Sequence, residues 1–284
     1  MVEEAYQVKY FNSQSSAATD LLSLSIFVSE HQFQYAIFKN SFKNIIELAD
    51  IEFKEAHLPN YQAIDLISII VNNQFLNQKK FEKVNISVLN NQFTLLPEAF
   101  AQDLDHSALL SFANGENNAS KSLHHKTKYC FFSYQLPNDW LDFFGKTFPQ
   151  ANIYHASAIN VSLLFEQFSL INTELFLNIH QNQIEISAKQ NRALLFYNVF
   201  SYESKEDILY YLLFTMEQLE LNPLLCKLSL ASQLETNDEL INSLKKYVKH
   251  LDFCVMDKSI SSETIDNKLP NHFYFTLLNQ HLCE

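Results

Sequence analysis

The spacing of apolar and polar positions predicts alternating strands and helices. Apolar residues at every second position over residues 22–28 and 33–37, joined by a polar turn at residues 29–32, predict a β-hairpin. A third strand is expected over residues 44–53, and the helical spacing of apolar residues within 61–77 predicts a helix after it. The chain should therefore open with a three-stranded meander followed by a helix.

The same succession is expected a second time. Its three strands are predicted over residues 175–179, 184–186 and 193–200. The first two are joined by a turn at residues 180–182, and the very apolar helix 208–221 follows the third. The order strand, strand, strand, helix, strand, helix thus occurs twice, about 145 residues apart. We expect a first lobe over residues 1–170, with extra strand and helix elements, and a second over residues 171–284.

Local signals add several finer expectations. Residues 114–128 are polar and nearly free of large apolar side chains, which predicts an exposed loop. A helix is expected over residues 98–112. Residues 204–207 and 236–239 resemble capping boxes, in which side chains bind the free N–H groups at a helix start.

Glycine is so scarce that several kinds of phosphate-binding and catalytic loop are excluded. The chain of 284 residues holds two, Gly115 and Gly145, whereas average usage of roughly 7% would give about 20. Loops that cradle phosphates need glycine for close backbone approach and for positive φ. P-loops, dinucleotide-binding turns with the G-x-G-x-x-G pattern and G-x-S-x-G nucleophile elbows are therefore absent from this sequence.

Charge and cysteine content further limit the classes of protein to which this chain can belong. The formal net charge is −12 and Arg192 is the only arginine, so we expect no nucleic-acid binding, which depends on neutralising phosphates. The N-terminus lacks the pattern of a signal peptide, and no apolar stretch approaches the length of a membrane span. The four cysteines form no C-x-x-C motif. We expect a cytoplasmic protein with reduced thiols.

The repeated element order resembles the actin-like ATPase (ribonuclease H-like) fold of actin, sugar kinases, heat-shock chaperones and pilus-assembly ATPases. More narrowly, residues 196–202 (FYNVFSY), 206–214 (EDILYYLLF) and 217–219 (EQL), together with the C-terminal residues 282–284, look like a bacterial family of unknown function with this fold. The resemblance covers essentially the whole chain. It implies a duplicated α/β fold of two lobes, each with a mixed five-stranded sheet flanked by helices.

Active members of the wider fold bind a nucleotide through glycine-bearing turns between the first two strands of each half, each with an aspartate near the metal. Here those turns are residues 29–32 and 180–182, which contain neither glycine nor aspartate. The third such loop, a glycine pair after the fourth strand of the second half, is also missing. The resemblance therefore implies degenerate nucleotide motifs and makes ATP hydrolysis by the usual mechanism unexpected.

Within these turns the candidate ligand-binding residues are Glu30 and His31 in the first and His180 and Gln181 in the second. A carboxylate beside an imidazole, as in Glu30 and His31, could perform acid–base chemistry. An ordinary solvated turn is the favoured alternative.

Other chemically capable residues have plainer interpretations. His124 and His125 are adjacent and are expected in an exposed loop, where neighbouring side chains rarely converge on one metal ion. Asp103, Asp105 and His106 could bind a metal or form an ion pair, and the ion pair is favoured. Cys254 lies in an apolar strand and is expected to be a buried, inert thiol, whereas Cys283 is expected near the surface. We therefore assign no catalytic residue, metal site or cofactor.

The sequence favours a non-catalytic protein-interaction or assembly scaffold of unknown cellular role. The alternative is a protein that binds a nucleotide or small ligand in a non-standard cleft between the lobes, as an ATPase-like or kinase-like enzyme could. A protein partner is expected, and a homo-oligomer is an open possibility. This inference rests on lost chemistry in a retained fold, and a fold does not by itself determine a function.

Overall fold

A computed structural model describes residues 5–13, 21–54, 62–97, 105–115, 119–167, 173–191, 193–260, 270 and 272–283. The chain divides into two compact units. The first comprises residues 1–162, 258–267 and 280–284, and the second comprises residues 163–257 and 268–279.

The first unit is built on a mixed sheet of six strands. In chain order these are β1 (Tyr6–Ser13), β2 (Leu22–Val28), β3 (Gln32–Lys39), β4 (Asn44–Phe53), β5 (Phe81–Val88) and, later, β9 (Asn152–His155). Their order across the sheet is β1-β4-β3-β2-β5-β9, with β2, β5 and β9 parallel. The expectation of five strands is wrong here because β1 adds to the edge along β4. Most β1 side chains are exposed, so this strand lacks the apolar alternation that reveals the others.

A separate three-stranded antiparallel sheet belongs to the same unit. It consists of β6 (Phe93–Leu96), β7 (Ser120–Lys126) and β8 (Phe131–Pro137), with β8 in the centre. The predicted loop over residues 114–128 is therefore wrong over the length of β7. The polar strand β7 is held by its backbone pairing to β8, which polarity patterns do not detect.

The described residues of the first half also form helices. They are α1 (Ala63–Asn73), α2 (His106–Asn114), α3 (Asn138–Thr147) and α4 (Ala156–Gln167), and a 3-10 helix spans Leu76–Gln78. The helix predicted over residues 98–112 begins at His106 within the described residues, and residues 98–104 lie outside them. In α1, Ile64, Leu66 and Ile67 are buried, in agreement with the helical spacing of the sequence.

The second unit contains a mixed five-stranded sheet, as expected. Its strands are β10 (Thr173–Ile179), β11 (Gln183–Gln190), β12 (Ala193–Ser201), β13 (Lys227–Ala231) and β14 (His250–Phe253), in the order β12-β11-β10-β13-β14. Without β1, the first sheet has the same order of corresponding strands. This repetition confirms the duplicated α/β architecture that the element order predicted.

In the second half, the described residues form the helices α5 (Lys205–Gln218), α6 (Glu239–Tyr247) and α7 (Phe275–Asn279), after which a 3-10 helix spans Gln280–Cys283. The capping box at the start of α5 is confirmed, because Ser204 and Asp207 bind each other's backbone N–H groups. The box expected over residues 236–239 is wrong. Asp238 instead caps α6, with its Oδ1 accepting the N–H of Leu240 at 2.7 Å.

The two faces of the second sheet differ in chemistry. One face packs its apolar side chains with those of α5 and α6, including Leu177, Ile186, Leu212 and Leu244. The opposite face carries buried polar groups, among them Glu174, Asn178, Glu185 and Lys189. A buried charge is costly unless it is paired, so this second face must supply its own partners.

No helix in the described part of the chain is both long and apolar enough to span a membrane.

Candidate functional site

The first predicted turn joins β2 to β3 as a tight hairpin. The N–H of Ser29 donates to the carbonyl of Gln32 at 2.9 Å, and the N–H of His31 donates to the Ser29 hydroxyl at 3.3 Å. Glu30 is exposed and His31 is half-buried. The Nδ1 atom of His31 is buried and has no hydrogen-bond partner among the described residues. This ring nitrogen therefore has an unused hydrogen-bonding position among the described residues.

Glu30 and His31 both line a cavity of about 670 Å³ in the first unit. The described lining residues come from the turn and from the starts of α1, β7 and α3. They are Glu30, His31, Gln62, Ala63, Ala119, Ser120, Pro137, Asn138, Asp139 and Trp140. The volume falls within the range of about 300–1,000 Å³ that holds small ligands. We call this cavity the turn pocket.

The charged side chains that line the turn pocket are acidic. Glu30 and Asp139 supply carboxylates, and no lysine or arginine occurs among its described lining residues. The backbone N–H of Trp140 donates to Asp139 Oδ1 at 2.9 Å, which engages only one of the two carboxylate oxygens. Trp140 adds an aromatic ring. Two acids and an aromatic side chain suit a cationic or hydroxyl-bearing ligand better than a phosphate.

The second predicted turn joins β10 to β11, and its residues take part in an internal hydrogen-bond network. His180 Nε2 lies 2.6 Å from Glu185 Oε1, and Glu185 is fully buried. The Tyr202 hydroxyl donates to the carbonyls of His180 at 2.7 Å and Gln181 at 2.9 Å. The turn is therefore held by side chains from β11 and from the segment after β12.

Further groups complete the network around Glu185. Asn178 Nδ2 donates to Glu185 Oε1 at 3.0 Å and lies 3.0 Å from Thr276 Oγ1, while the Tyr197 hydroxyl donates to Glu185 Oε2. Motifs and periodicity in the sequence do not single out these residues. The detectable signal is an acid between two isoleucines in a strand, Glu185 in β11, because such an acid must be paired if it is buried.

A second unanticipated acid lies beside the first turn. The first turn contains no aspartate, but Asp50 of β4 is buried and its Oδ1 accepts the side-chain amides of Gln32 at 2.8 Å and Gln34 at 3.1 Å. The two strands bring these residues together although 18 positions separate Gln32 from Asp50. This carboxylate is engaged by the chain's own amides.

The histidine candidates are placed differently from expectation. His124 and His125 lie in β7 and not in a loop, so they project to opposite faces. The His124 ring stacks with His106 at 5.5 Å and with Phe131 at 5.4 Å, whereas the His125 ring meets Tyr154 edge-on. Burial and the neighbouring His124 lower the pKa of His125, which favours its neutral form.

The predicted acidic neighbours of His106 have a structural role where they are described. Asp105 caps α2, with its Oδ1 accepting the N–H groups of Ser107 and Ala108, while Asp103 lies outside the described residues. His106 Nδ1 lies 2.7 Å from the Ser133 hydroxyl. Within the described ranges, no group of three His, Cys, Asp or Glu side chains is arranged to hold a metal ion.

The described thiols lie in the interior. Cys130, Cys226 and Cys254 are buried and free, and burial raises the pKa of each, most strongly that of Cys254. A raised pKa lowers the thiolate fraction and with it the reactivity. The side chain of Cys283 lies outside the described part of the chain.

Two solved structures share this architecture. A protein of Bacteroides thetaiotaomicron with an actin-like ATPase fold and unknown function aligns with a TM-score of 0.74 and 20% identity, over 84% of this chain and 94% of that one. The PilM–PilN type IV pilus biogenesis complex gives a TM-score of 0.61 at 9% identity, over 92% of this chain and 97% of that one. At these identities the similarity establishes the fold alone, and it confirms the expected actin-like fold.

No protein of curated function matches this sequence. One family model does match, over residues 12–251, and its description is "Protein of unknown function (DUF3822)". Because the match spans most of the chain and agrees with the resemblance recognised in the sequence, this protein belongs to the DUF3822 family.

Proposed function

We propose that this protein is a non-catalytic partner-binding protein whose actin-like fold serves protein assembly and not nucleotide hydrolysis. The observation that carries the proposal is the network at the second turn, where buried Glu185 binds His180 and Tyr202 binds the turn carbonyls. The proposal keeps the expected cytoplasmic location and leaves self-association open.

The network at the second turn opposes phosphate binding for physical reasons. A phosphate needs N–H donors, cations or a metal ion held by accessible carboxylates. Here His180 is engaged by Glu185, whose carboxylate would repel a phosphate, and the hairpin contains no glycine to allow close backbone approach. Reopening the turn would deprive the buried Glu185 carboxylate of its histidine partner, which costs free energy.

The similarity to PilM supports the partner-binding part of the proposal. PilM belongs to a described complex with PilN, so an actin-like chain of this architecture can serve in an assembly. The described surface of the present chain also carries exposed apolar side chains that lie close together, namely Tyr210 with Phe214 and the adjacent Leu224 and Leu225. Grouped exposed apolar residues mark interaction sites on soluble proteins.

A nucleotide-binding measurement tests the non-catalytic part. A ligand at 100 times its Kd stabilises a protein by roughly 2.7 kcal/mol, which for a chain of this size shifts the melting temperature by about 5–10 °C. We expect millimolar MgATP to leave the melting temperature unchanged and to yield no phosphate. A shift of several degrees accompanied by phosphate release would contradict the proposal.

Purification of the tagged chain from its native host tests the partner-binding part. We expect it to elute in size-exclusion chromatography as a stoichiometric complex with a second protein. Elution of the chain alone at every ionic strength tried would contradict partner binding, whatever MgATP does.

The turn pocket supports a second candidate function, the binding of a small cationic or hydroxyl-bearing ligand. The specific observation is that His31, whose buried Nδ1 has no partner among the described residues, lines a cavity together with the acids Glu30 and Asp139. Trp140 is the only tryptophan of the chain and lines this pocket, so its fluorescence reports binding without a label. We expect polyamines or amino sugars to change its emission, and Glu30→Gln to weaken that response. Unchanged emission with both ligand classes would exclude this candidate.

A further inference from the structure

A continuous array of aromatic rings connects β12 with the solvent side of α5. Neighbouring ring centroids lie 6.4 Å apart for Phe196–Phe200, 4.5 Å for Phe200–Tyr211, 5.5 Å for Tyr211–Tyr210 and 5.7 Å for Tyr210–Phe214. Tyr210 is 60% exposed and Phe214 is 45% exposed. These five residues, the aromatic array, lie in the stretch whose sequence resembles the family. They take no part in the turn pocket or the second-turn network.

The exposed part of the array follows from the two-sided apolarity of α5. Ile208, Leu212 and Met216 form its buried side and pack in the core of the second unit. Tyr210 and Phe214 are spaced four residues apart on another side of the helix, where an ordinary surface helix carries polar residues. A helix with large apolar groups on both sides is one that is covered on both sides.

The strand next to the array ends its sheet. The five-stranded sheet stops at β12, and no further strand in the described part of the chain pairs along its outer side. The nine residues of β12, Ala193–Ser201, include no charged residue and no proline. One register shift occurs near Leu195, and from Phe196 to Ser201 the strand pairs regularly with β11. Uncharged regular edges readily accept an added strand.

The exposed charged side chains of α5 one turn before Tyr210 and one turn after Phe214 are acidic. Glu206 and Glu217 are exposed on α5, about one turn before Tyr210 and one turn after Phe214. Lys205, the only cation of this helix, lies 3.2 Å from Asp238 in an ion pair. A second copy of the chain would bring the same acids and a net charge of −12 to this surface. Charge complementarity therefore favours a basic partner over self-association.

We propose that β12 and the aromatic array bind an extended segment of a partner protein that adds as a strand to β12. Apolar side chains of this segment pack on Tyr210 and Phe214, and its lysine or arginine residues face Glu206 and Glu217. The inference rests on the proposed partner-binding function and names the surface and the chemistry of the partner.

Selection from a random peptide library displayed on phage tests the surface. We expect wild-type protein to enrich peptides that alternate apolar residues and carry lysine or arginine. The Tyr210→Ser/Phe214→Ser double variant should bind the enriched peptides at least about tenfold more weakly. The matched control Tyr247→Ser, which alters a half-exposed aromatic residue of α6, should bind them like the wild type. Thermal unfolding establishes that each variant is folded.

Two further comparisons separate the parts of the proposal. Two sets of peptides are compared, one methylated at the odd-numbered and one at the even-numbered backbone nitrogens. One set should lose binding and the other should keep it, because only alternate N–H groups of an added strand face β12. Glu206→Lys/Glu217→Lys should weaken binding of the basic peptides and reduce its dependence on salt. If neither set of methylated peptides lost binding, strand addition would be wrong. If the Glu206→Lys/Glu217→Lys variant showed the same salt dependence as the wild type, the role of the acids would be wrong.

Other outcomes of these experiments would also contradict the proposal. If no peptide is enriched, or if the double variant binds the enriched peptides as tightly as the wild type, the proposal that this surface binds a partner segment is wrong. The proposed function would still stand on co-elution with a protein from the native host. If sedimentation shows a dimer that the double variant loses, the surface is occupied by a second copy and the proposal of a basic partner segment is wrong.

Discussion

In each of the two hairpin turns, one residue is bound by a buried acid from a strand. Glu185 engages His180, and Asp50 engages Gln32. Each acid interrupts an apolar strand, so the sequence contains the signal, but the identity of its partner depends on strand register. The candidates Glu30 and His31 share one pocket, while His180 contributes to a separate internal network. What each of the four candidates binds stays a prediction.

A buried ion pair offers a test at the scale of single residues. Lys189 lies opposite Glu174 in the register of β10 and β11, with 3.3 Å between Nζ and Oε2. Both side chains are buried, and burial lowers the pKa of Lys189 although Glu174 opposes this shift. Lys189→Met should lower the free energy of unfolding by about 3–5 kcal/mol, because it leaves Glu174 buried without its main cation.

The matched control for this ion pair is the double variant Lys189→Met/Glu174→Leu. Replacing both charges with apolar groups removes the uncompensated carboxylate, so most of the lost stability should return. Urea unfolding monitored by circular dichroism measures all three proteins. Equal destabilisation in the single and double variants would contradict the role of the buried carboxylate.

The elements that the sequence predicts well are those with strong periodicity or strong end signals. The hairpin of β2 and β3, the helix α1 and the start of α5 follow from local patterns. The strand β7 does not follow from local patterns, because its polar side chains carry no apolar alternation and its conformation depends on pairing with β8. Pairing between distant segments cannot be derived from the composition of one segment.

The capping box of α5 supports a prediction about pH. The Glu203 N–H, the Ser204 side chain and the Ser204 N–H all stabilise the Asp207 carboxylate, which lowers its pKa below the ordinary value of 3.8. A carboxyl group whose pKa is lower in the folded than in the unfolded state stabilises the fold at pH values above its unfolded pKa. That stability is lost as the pH falls through the folded pKa. Asp207→Asn should therefore lower the melting temperature at neutral pH, and the difference from wild type should shrink below about pH 4.

Glu206→Gln is the control for the capping prediction. It removes a negative charge from the same helical turn but leaves the hydrogen bonds of Asp207 intact, so its effect should be smaller. Calorimetry from pH 7 down to pH 3 provides the comparison. A difference between wild type and Asp207→Asn that does not change with pH would contradict the assigned cause.

At the scale of the whole molecule, the same order of five strands occurs in two sheets. The prediction of two lobes over residues 1–170 and 171–284 came from this repetition, and it stays a prediction for the domain boundary. The addition of β1 and of the three-stranded sheet distinguishes the first half from the second. The turn pocket is lined in part by Ser120 of β7 and Pro137 of β8, so strands outside the repeated pattern contribute to the candidate site.

The overall charge supports a prediction about nucleic acids. With a net charge of −12 and one arginine, the chain is poorly suited to neutralising phosphates. We expect no binding to labelled duplex DNA or to single-stranded RNA at physiological ionic strength, as measured by fluorescence anisotropy. Binding that weakens steeply as salt increases would show that a local cationic surface outweighs the net charge.

The sequence by itself determined the succession of strands and helices, its repetition and the absence of glycine-dependent phosphate loops. These properties are local, because periodicity, end signals and glycine content are read within single segments. Only the tertiary structure decided that Glu185 reaches His180, that Glu30 and His31 line a pocket with Trp140, and that rings of β12 and α5 form one array. The physical reason is that burial and pairing join residues far apart in the chain, and strand register selects which of them meet.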